Sequence, residues 1–307
     1  VRRYVVAYTA TDSGREAINL ATALARRQGG SLDLVMVLAE SSPYSGAYPR
    51  PESGYDAILS DQIQEWLAEG LSLVPDDVTA RAHVRRAESN AEGLIAAAEE
   101  FDAALIVIGA GRSSVFRRFS VGTVASGLLH ASTVPVALAP RGYRRTEPVT
   151  RITVGLGNRA GADDVLHVAL DAARRRGLAL RLLSLVTLDS SDLDAVSRAE
   201  TQMKERLAQA ETMLAGRVTA HVAQGRSIED AIDALEWDDG EVMLIGSSRL
   251  APHSRLFLGA TASKVLRALP VPMVVVPRGY RSSPLPTDNP ELSEAPELFD
   301  DDGHQEA

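Results

Sequence analysis

The chain has 307 residues, 45 % apolar and 24 % charged, which is the composition of a globular protein about two domains long. It has no cysteine, so disulfide frameworks, thiolate metal sites and cysteine nucleophiles are excluded together. Its net charge of −9 sits in one place. Residues 282–307 carry Asp288, Glu291, Glu294, Glu297, Asp300, Asp301, Asp302 and Glu306 with no Lys or Arg, and removing them leaves the preceding residues at −1. A nearly neutral body offers no basic field for nucleic acid. The acidic segment also holds four prolines and is expected to be a disordered tail. No apolar run reaches the ~18 residues of a membrane span, so no membrane association is expected. Val1-Arg2-Arg3-Tyr4 runs straight into a strand pattern, which is read as leaving no room for a signal peptide; the expected location is the cytoplasm.

In chain order, Tyr4–Tyr8 is a short apolar run, and Ser13-Gly-Arg-Glu16 has the form of a capping box opening a helix. Ala17, Leu20, Ala21 and Leu24 follow at helical spacing. Leu32–Leu38 reads as a strand, Asp56–Leu73 as a helix and Val78–Val84 as a strand. Ser89-Asn-Ala-Glu92 is a second capping box, with a helix to Glu100. Ala103–Ile108 is a buried-type strand, Gly122–Ala131 a helix and Val134–Leu138 a last strand. Strands are then expected near 151–156, 180–186, 217–222, 241–245 and 272–276, with helices between and a cap at Ser227…Asp230.

This second series repeats the first. Pro140-Arg141-Gly142-Tyr143 recurs as Pro277-Arg278-Gly279-Tyr280, a shift of 137 that also takes Val134-Pro135 to Val271-Pro272, Gly109 to Gly246 and Gly122 to Gly259. Upstream the shift is 148, taking Ala25-Arg26-Arg27 to Ala173-Arg174-Arg175. The extra residues of the first copy are assigned to the Pro/Gly/Tyr-rich stretch 43–55. Alternating strands and helices imply right-handed βαβ units and a parallel sheet covered on both faces. The expected domains are 1–145 and 150–281, followed by the tail 282–307. Pro135 and Pro272 place the last strand of each copy at a sheet margin, where the two copies could pair edge to edge.

In an open α/β sheet the ligand lies beyond the carboxyl ends of the strands. After the fourth strand the first copy reads Gly109-Ala-Gly-Arg112, nine residues, then Gly122-Thr123-Val124. The second reads Gly246-Ser-Ser-Arg249, nine residues, then Gly259-Ala260-Thr261. Glycine permits close backbone approach, and a glycine opening a helix leaves N–H groups for an anion. Arg117, Arg118 and Arg255 add cationic candidates. There is no Gly-x4-Gly-Lys-[Ser/Thr], no Gly-x-Ser-x-Gly and no His-Glu-x-x-His, so the common hydrolase and zinc templates fail. The histidines lack metal spacing, His83 and His221 are assigned structural roles in equivalent strands, and Trp66 and Trp237 are placed on helices in the core.

The two loops resemble the Gly-x2-Gly-x9-Gly-[Ser/Thr] nucleotide loop of the universal stress proteins, over both copies and not the tail. The resemblance implies two tandem Rossmann-like (adenine nucleotide α-hydrolase-like) five-stranded α/β domains packed as an intramolecular pseudo-dimer. It further implies a non-catalytic stress-response role, ATP or another adenine nucleotide as ligand, and dimeric pairing, here extending to a homodimer of the tandem chain. It carries the nucleotide-site assignment to Thr9, Val37, Gly109, Gly111, Arg112, Gly122, Thr123 and Val124, and more weakly to Gly157, Gly246, Ser247, Arg249, Gly259, Ala260 and Thr261. The pattern is also broken. The family's middle glycine is Arg112 or Arg249, its acid after the first strand is Thr9 or Gly157, and the second copy's hydroxyl is Ala260. Each arginine could fill the phosphate pocket or contact the phosphate. Two readings therefore stand: a nucleotide binder using the first copy, or a tandem without nucleotide that acts as an interaction module on an unidentified protein partner. A slow nucleotide hydrolase is a weaker third. Deleting 282–307 should leave the melting temperature within about 1 °C of the full chain, since so few apolar residues cannot offset ordering entropy; a large drop in a thermal melt would show that Leu285, Leu292 or Phe299 docks on the body.

Overall fold

The computed structural model describes residues 1–26, 29–40, 54–110, 122–157, 162–187, 194–248 and 256–280. The acidic tail and the stretch 43–53 therefore lie outside the described residues. The first copy runs β1 (Arg3–Ala7), α1 (Asp12–Ala25), β2 (Ser31–Ala39), α2 (Gly54–Ser72), β3 (Ala80–Ala87), α3 (Asn90–Glu100), β4 (Leu105–Ile108), α4 (Thr123–Ala131) and β5 (Val136–Leu138). The second runs β6 (Arg151–Gly155), α5 (Ala162–Arg176), β7 (Ala179–Thr187), α6 (Ala195–Leu214), β8 (Val218–Gly225), α7 (Ile228–Asp233), β9 (Glu241–Gly246), α8 (Ala260–Ala268) and β10 (Met273–Val276).

These strands form one sheet in the order β3-β2-β1-β4-β5-β10-β9-β6-β7-β8. Every neighbour is parallel except the central β5–β10 pair, which is antiparallel with Val136↔Val275, Ala137↔Val274 and Leu138↔Met273. Ala137 and Val274 are equivalent under the 137 shift, so a pseudo-twofold axis passes between them. Pairing the two margins covers the β5 and β10 edges and leaves β3 and β8 at the ends of the sheet. One face of the sheet is covered by α1, α2, α5 and α6 around Ile18, Leu67, Leu166 and Met203. The other is covered by α3, α4, α7 and α8 around Leu94, Leu128, Ile232 and Leu266.

The pairing is reinforced by exchanged arms. Each Pro-Arg-Gly-Tyr segment is a turn closed by the tyrosine N–H on the proline carbonyl, with Gly142 and Gly279 at φ of 77° and 71°. That backbone conformation at the third turn position favours glycine. Tyr280 then donates its hydroxyl to the Ala104 carbonyl of the other copy at 3.4 Å. Burial pushes the Tyr143 phenol up to about 12. Beyond Tyr143 the linker is clamped along α1 by Asn19 on the Tyr143 carbonyl, Arg26 on the Thr146 carbonyl and the Val149 N–H on the Ala23 carbonyl. The N–H groups of Leu256 and Leu258 donate to Ser132 and Leu129, so the second copy satisfies carbonyls at the end of α4.

Some local readings hold and others do not. Ser89 caps α3 through the Glu92 N–H, and Ser227 with Asp230 forms a full capping box on α7. Ser13 does not open α1. The helix starts at Asp12 with Thr11 at the N-cap, and Glu16 turns inward. Trp66 is 37 % exposed and not a core residue. Trp237 follows α7 rather than lying on a helix; its indole N–H donates to the Ile232 carbonyl, and Arg181 stacks over its ring at 4.6 Å.

At the amino ends of the strands each copy buries an ion cluster. In the first, Asp33, 2 % exposed, accepts from Arg3 at 2.7 Å twice and pairs with His83 at 2.8 Å, and Arg3 lies over Phe101. In the second, one charge is reversed while Arg151 keeps the place of Arg3: Arg181 stands where Asp33 would, and it meets Glu241, which also holds Arg151 and Thr153. Burial raises the Asp33 carboxyl, but the Arg3 and His83 hydrogen bonds outweigh it and hold the pKa below 3.8. A depressed folded-state pKa stabilises fully above the unfolded value and is lost as pH falls through the folded one. Asp33→Asn should therefore cost about 1–3 kcal/mol at pH 7, a gap that narrows below pH 3.8 in urea melts run across pH.

Candidate functional site

The strand exits of the first copy are packed unusually close. A Cβ on Gly14 would stand 2.0 Å from the Thr9 carbonyl oxygen, and one on Gly109 would stand 1.9 Å from the Ser13 carbonyl oxygen. Both contacts are backbone against backbone, so neither neighbour can swing aside. They press the first turn of α1 onto the ends of β1 and β4. Thr9 itself is exposed, its hydroxyl paired with Thr11 at 2.9 Å and its carbonyl accepting the Thr11 N–H.

Glu16 completes this packing. The carboxylate is 7 % exposed, accepting the Ala110 N–H at 3.2 Å and the Gly142 N–H at 2.6 Å. Burial raises its pKa above 4.5, with the two backbone donors pulling the other way. A cleft of ≈ 720 Å³ opens beside it on the α1 face, lined among others by Thr11, Ser13, Asn19, Arg141 and Arg144.

The remaining first-copy residues lie in the opposite layer. Gly122 is the extended N-cap of α4 (φ −70°, ψ 175°), with no side-chain cap and no acid in the first turn, and Thr123 is exposed beside it. The first-turn N–H groups of a helix, with a hydroxyl beside them, are the kind of donor set that suits an anion. Val124 packs partly against the core of this layer. Val37 does so too; a Cβ on Gly93 would stand 2.7 Å from Val37 Cγ1, so α3 needs glycine there. The expected set thus divides into strand exits (Thr9, Gly109) and the α3–α4 layer (Val37, Gly122, Thr123, Val124). Gly111, Arg112, Arg117 and Arg118 lie outside the described residues.

The second copy uses the same positions differently. Gly157 is exposed, with no atom of the described residues within 4 Å of a would-be Cβ. Gly246 ends β9 in register with Val276. Ser247 continues the ladder, its N–H donating to the Val276 carbonyl at 2.8 Å. The Ser247 hydroxyl accepts the Phe257 N–H at 2.8 Å, and the Ser248 N–H donates to the Phe257 carbonyl. This stitches the β9 exit onto the segment before α8. A Cβ on Gly259, the N-cap of α8, would meet Ser248 at 3.2 Å. Ala260 and Thr261 are exposed, while Arg249 and Arg255 are outside the described residues. Phe257 meanwhile packs edge-on against His130 of α4.

The sequence reading missed Gly14, Glu16, Ala110 and Phe257 as determinants of the site. The contact of Phe257 with His130 and the Ala110–Glu16 bond join distant segments, and no local pattern announces them. Glu16 did leave a signal: the 148 shift maps it onto Asp164, whose carboxylate likewise accepts the Gly279 N–H at 3.1 Å. Among the described residues no group of three or more His, Asp or Glu is placed to hold a metal, and no helix is long and apolar enough to cross a membrane.

Two Rossmann-like units joined through their last strands, each with a glycine-flanked loop at the exit of its fourth strand, define a tandem doubly wound α/β protein. The universal stress protein family model matches residues 1–140 and 148–277, and the chain belongs to that family. It is 29 % identical over 291 residues to a universal stress protein of Mycobacterium tuberculosis and equally to one of Mycobacterium bovis, in each case across 89 % of this chain and 99 % of the relative. Among solved structures, a universal stress protein from Archaeoglobus fulgidus aligns with a TM-score of 0.67 at 19 % identity, covering 90 % of this chain and 98 % of that one. A functionally unknown protein from Pseudomonas aeruginosa aligns at 0.56 and 18 %, covering 91 % and 93 %. These likenesses concern the fold.

The packing yields a contrast between two glycines. Gly109→Ala should destabilise by about 2–3 kcal/mol through overpacking against fixed backbone, whereas Gly157→Ala should stay within about 0.5 kcal/mol. Urea denaturation of the two variants measures both.

Proposed function

We propose that the chain is a non-catalytic, cytoplasmic stress-response protein that binds ATP or another adenine nucleotide in its first copy, while its second copy serves as a structural partner. The observation that carries this reading is the difference between the two strand exits. In the first copy the Ala110 N–H turns to Glu16 and the α4 N-terminus carries the exposed Thr123 hydroxyl, where α8 begins with Ala260. In the second, Ser247 and Ser248 are hydrogen-bonded to Phe257, and Ser248 stands against Gly259. A phosphate needs backbone N–H groups that are not already engaged. The family resemblance supplies the ligand class, and the domain limits 1–145 and 150–281 belong to the same proposal.

The reading without nucleotide keeps one specific observation in its favour. Thr9, at the family's acidic position, spends its hydroxyl on Thr11, which leaves the nucleoside without its usual carboxylate. In that case the tandem acts through its surface on a protein partner.

Calorimetric titration with ATP, ADP and AMP, with and without Mg²⁺, separates the two. Binding is expected in the wild type. Gly122→Val should weaken it at least tenfold, by blocking approach to the α4 N-terminus, and Gly259→Val should change it less than twofold. No heat and no thermal shift at millimolar nucleotide would eliminate the binding reading and leave the interaction module.

A further inference from the structure

We infer that Glu16 is the positioning residue that holds the first copy's strand exit open, because it takes the backbone N–H that would otherwise extend the β4–β5 ladder. The internal repeat supplies the control. In a parallel ladder one residue bonds to the two residues flanking its partner. In the second copy that ladder runs on: Gly246 is in register with Val276, and the Ser247 N–H reaches the Val276 carbonyl at 2.8 Å. In the first copy the corresponding bond would run from the Ala110 N–H to the Ala139 carbonyl. The Ala139 N–H does reach the Ile108 carbonyl at 2.9 Å, but the next rung is diverted: the Ala110 N–H goes to Glu16 at 3.2 Å. The strands record the difference, since β4 and β5 end at Ile108 and Leu138 while β9 and β10 each run one equivalent residue farther.

The two acids occupy equivalent places and differ by one methylene. Both carboxylates hold the N–H of their turn glycine, Gly142 or Gly279. The longer Glu16 spans from that turn to the β4 exit with one oxygen on each. Asp164 has only its turn contact among these hydrogen bonds, and the β9 exit zips onto β10. One side-chain length thus decides whether the N–H at the strand exit goes to the ladder or to a carboxylate. Because Gly142 precedes Tyr143, buried and clamped to α1 through Asn19, the same carboxylate ties the loop start to the linker between copies. The titratable groups facing Glu16 are Asp12 on α1 and Arg141 on the turn, of opposite effect. The consequence for ligand binding rests on the nucleotide reading above; the placement of Ala110 does not.

The test has two arms on the full chain. In amide-resolved NMR across pH, Ala110 and Gly142 should shift together with one midpoint above 4.5, while Ser247 does not follow. Glu16→Gln should abolish that shared transition, since an amide does not titrate in this range, and Asp164→Asn should leave it intact. In the second arm, Glu16→Asp should weaken ATP at least tenfold while Asp164→Asn changes it less than twofold. An Ala110 amide that fails to titrate with Gly142 would overturn the inference, as would Glu16→Asp binding ATP like the wild type. A wild type that binds no ATP would remove the proposed function, with the amide titration still deciding the role of Glu16.

Discussion

Three residue pairs at the centre of the sheet hold the two halves of this molecule in one register. Val136, Ala137 and Leu138 meet Val275, Val274 and Met273 antiparallel, all of them buried. Parallel βαβ units end in an open margin, and a margin of valine, alanine and leucine cannot stay in water without inviting association. Here each copy closes the other's. The contact at the strands is short, and the copies reinforce it with elements that only a second copy can provide: Tyr280 on the Ala104 carbonyl, the Leu256 and Leu258 N–H groups on α4, and Phe257 against His130.

That arrangement gives the copies different freedom. The segment before α8 is engaged on one side by Ser247 and Ser248 and on the other by α4. Backbone N–H groups already bonded within the protein, as at Ser247, Ser248, Leu256, Phe257 and Leu258, are not offered to a ligand. The α1–β4 junction of the first copy carries the opposite feature, a buried glutamate that draws a backbone N–H out of the ladder. Duplication relaxed the requirement that both exits do the same thing, and the side chains at 16 and 164 differ accordingly. A similar divergence appears at the amino ends of the strands. There Asp33 with Arg3 and His83 in one copy is answered by Arg181 with Glu241 and Arg151 in the other, an acid at one buried position being replaced by a base.

Much of this was legible before folding. Helix and strand periods and the caps at Ser89 and Ser227 are local statements, because they depend on residues within a few positions of one another. The reading failed where a local pattern was used for a distant purpose. Ser13-Gly-Arg-Glu16 has the spacing of a capping box, yet the glutamate is worth more buried across the sheet than folded back on its own helix. Trp237 sits beyond its helix because Arg181, far away in sequence, needs an aromatic face.

The sequence by itself determined the duplication, the order of strands and helices, the sheet margin at Pro135 and Pro272, and which two loops lie at the carboxyl ends of their fourth strands. Each follows from periodicity, steric preference or repetition along the chain. Only the tertiary structure decided that Gly109 meets the Ser13 backbone, that Leu256 and Leu258 bond to the first copy, and that Glu16 rather than a strand carbonyl receives the Ala110 N–H. Those outcomes depend on distances between residues tens of positions apart, and a difference of one methylene between Glu16 and Asp164 acquires meaning only once the Ala110 and Gly142 N–H groups have been brought to the same carboxylate.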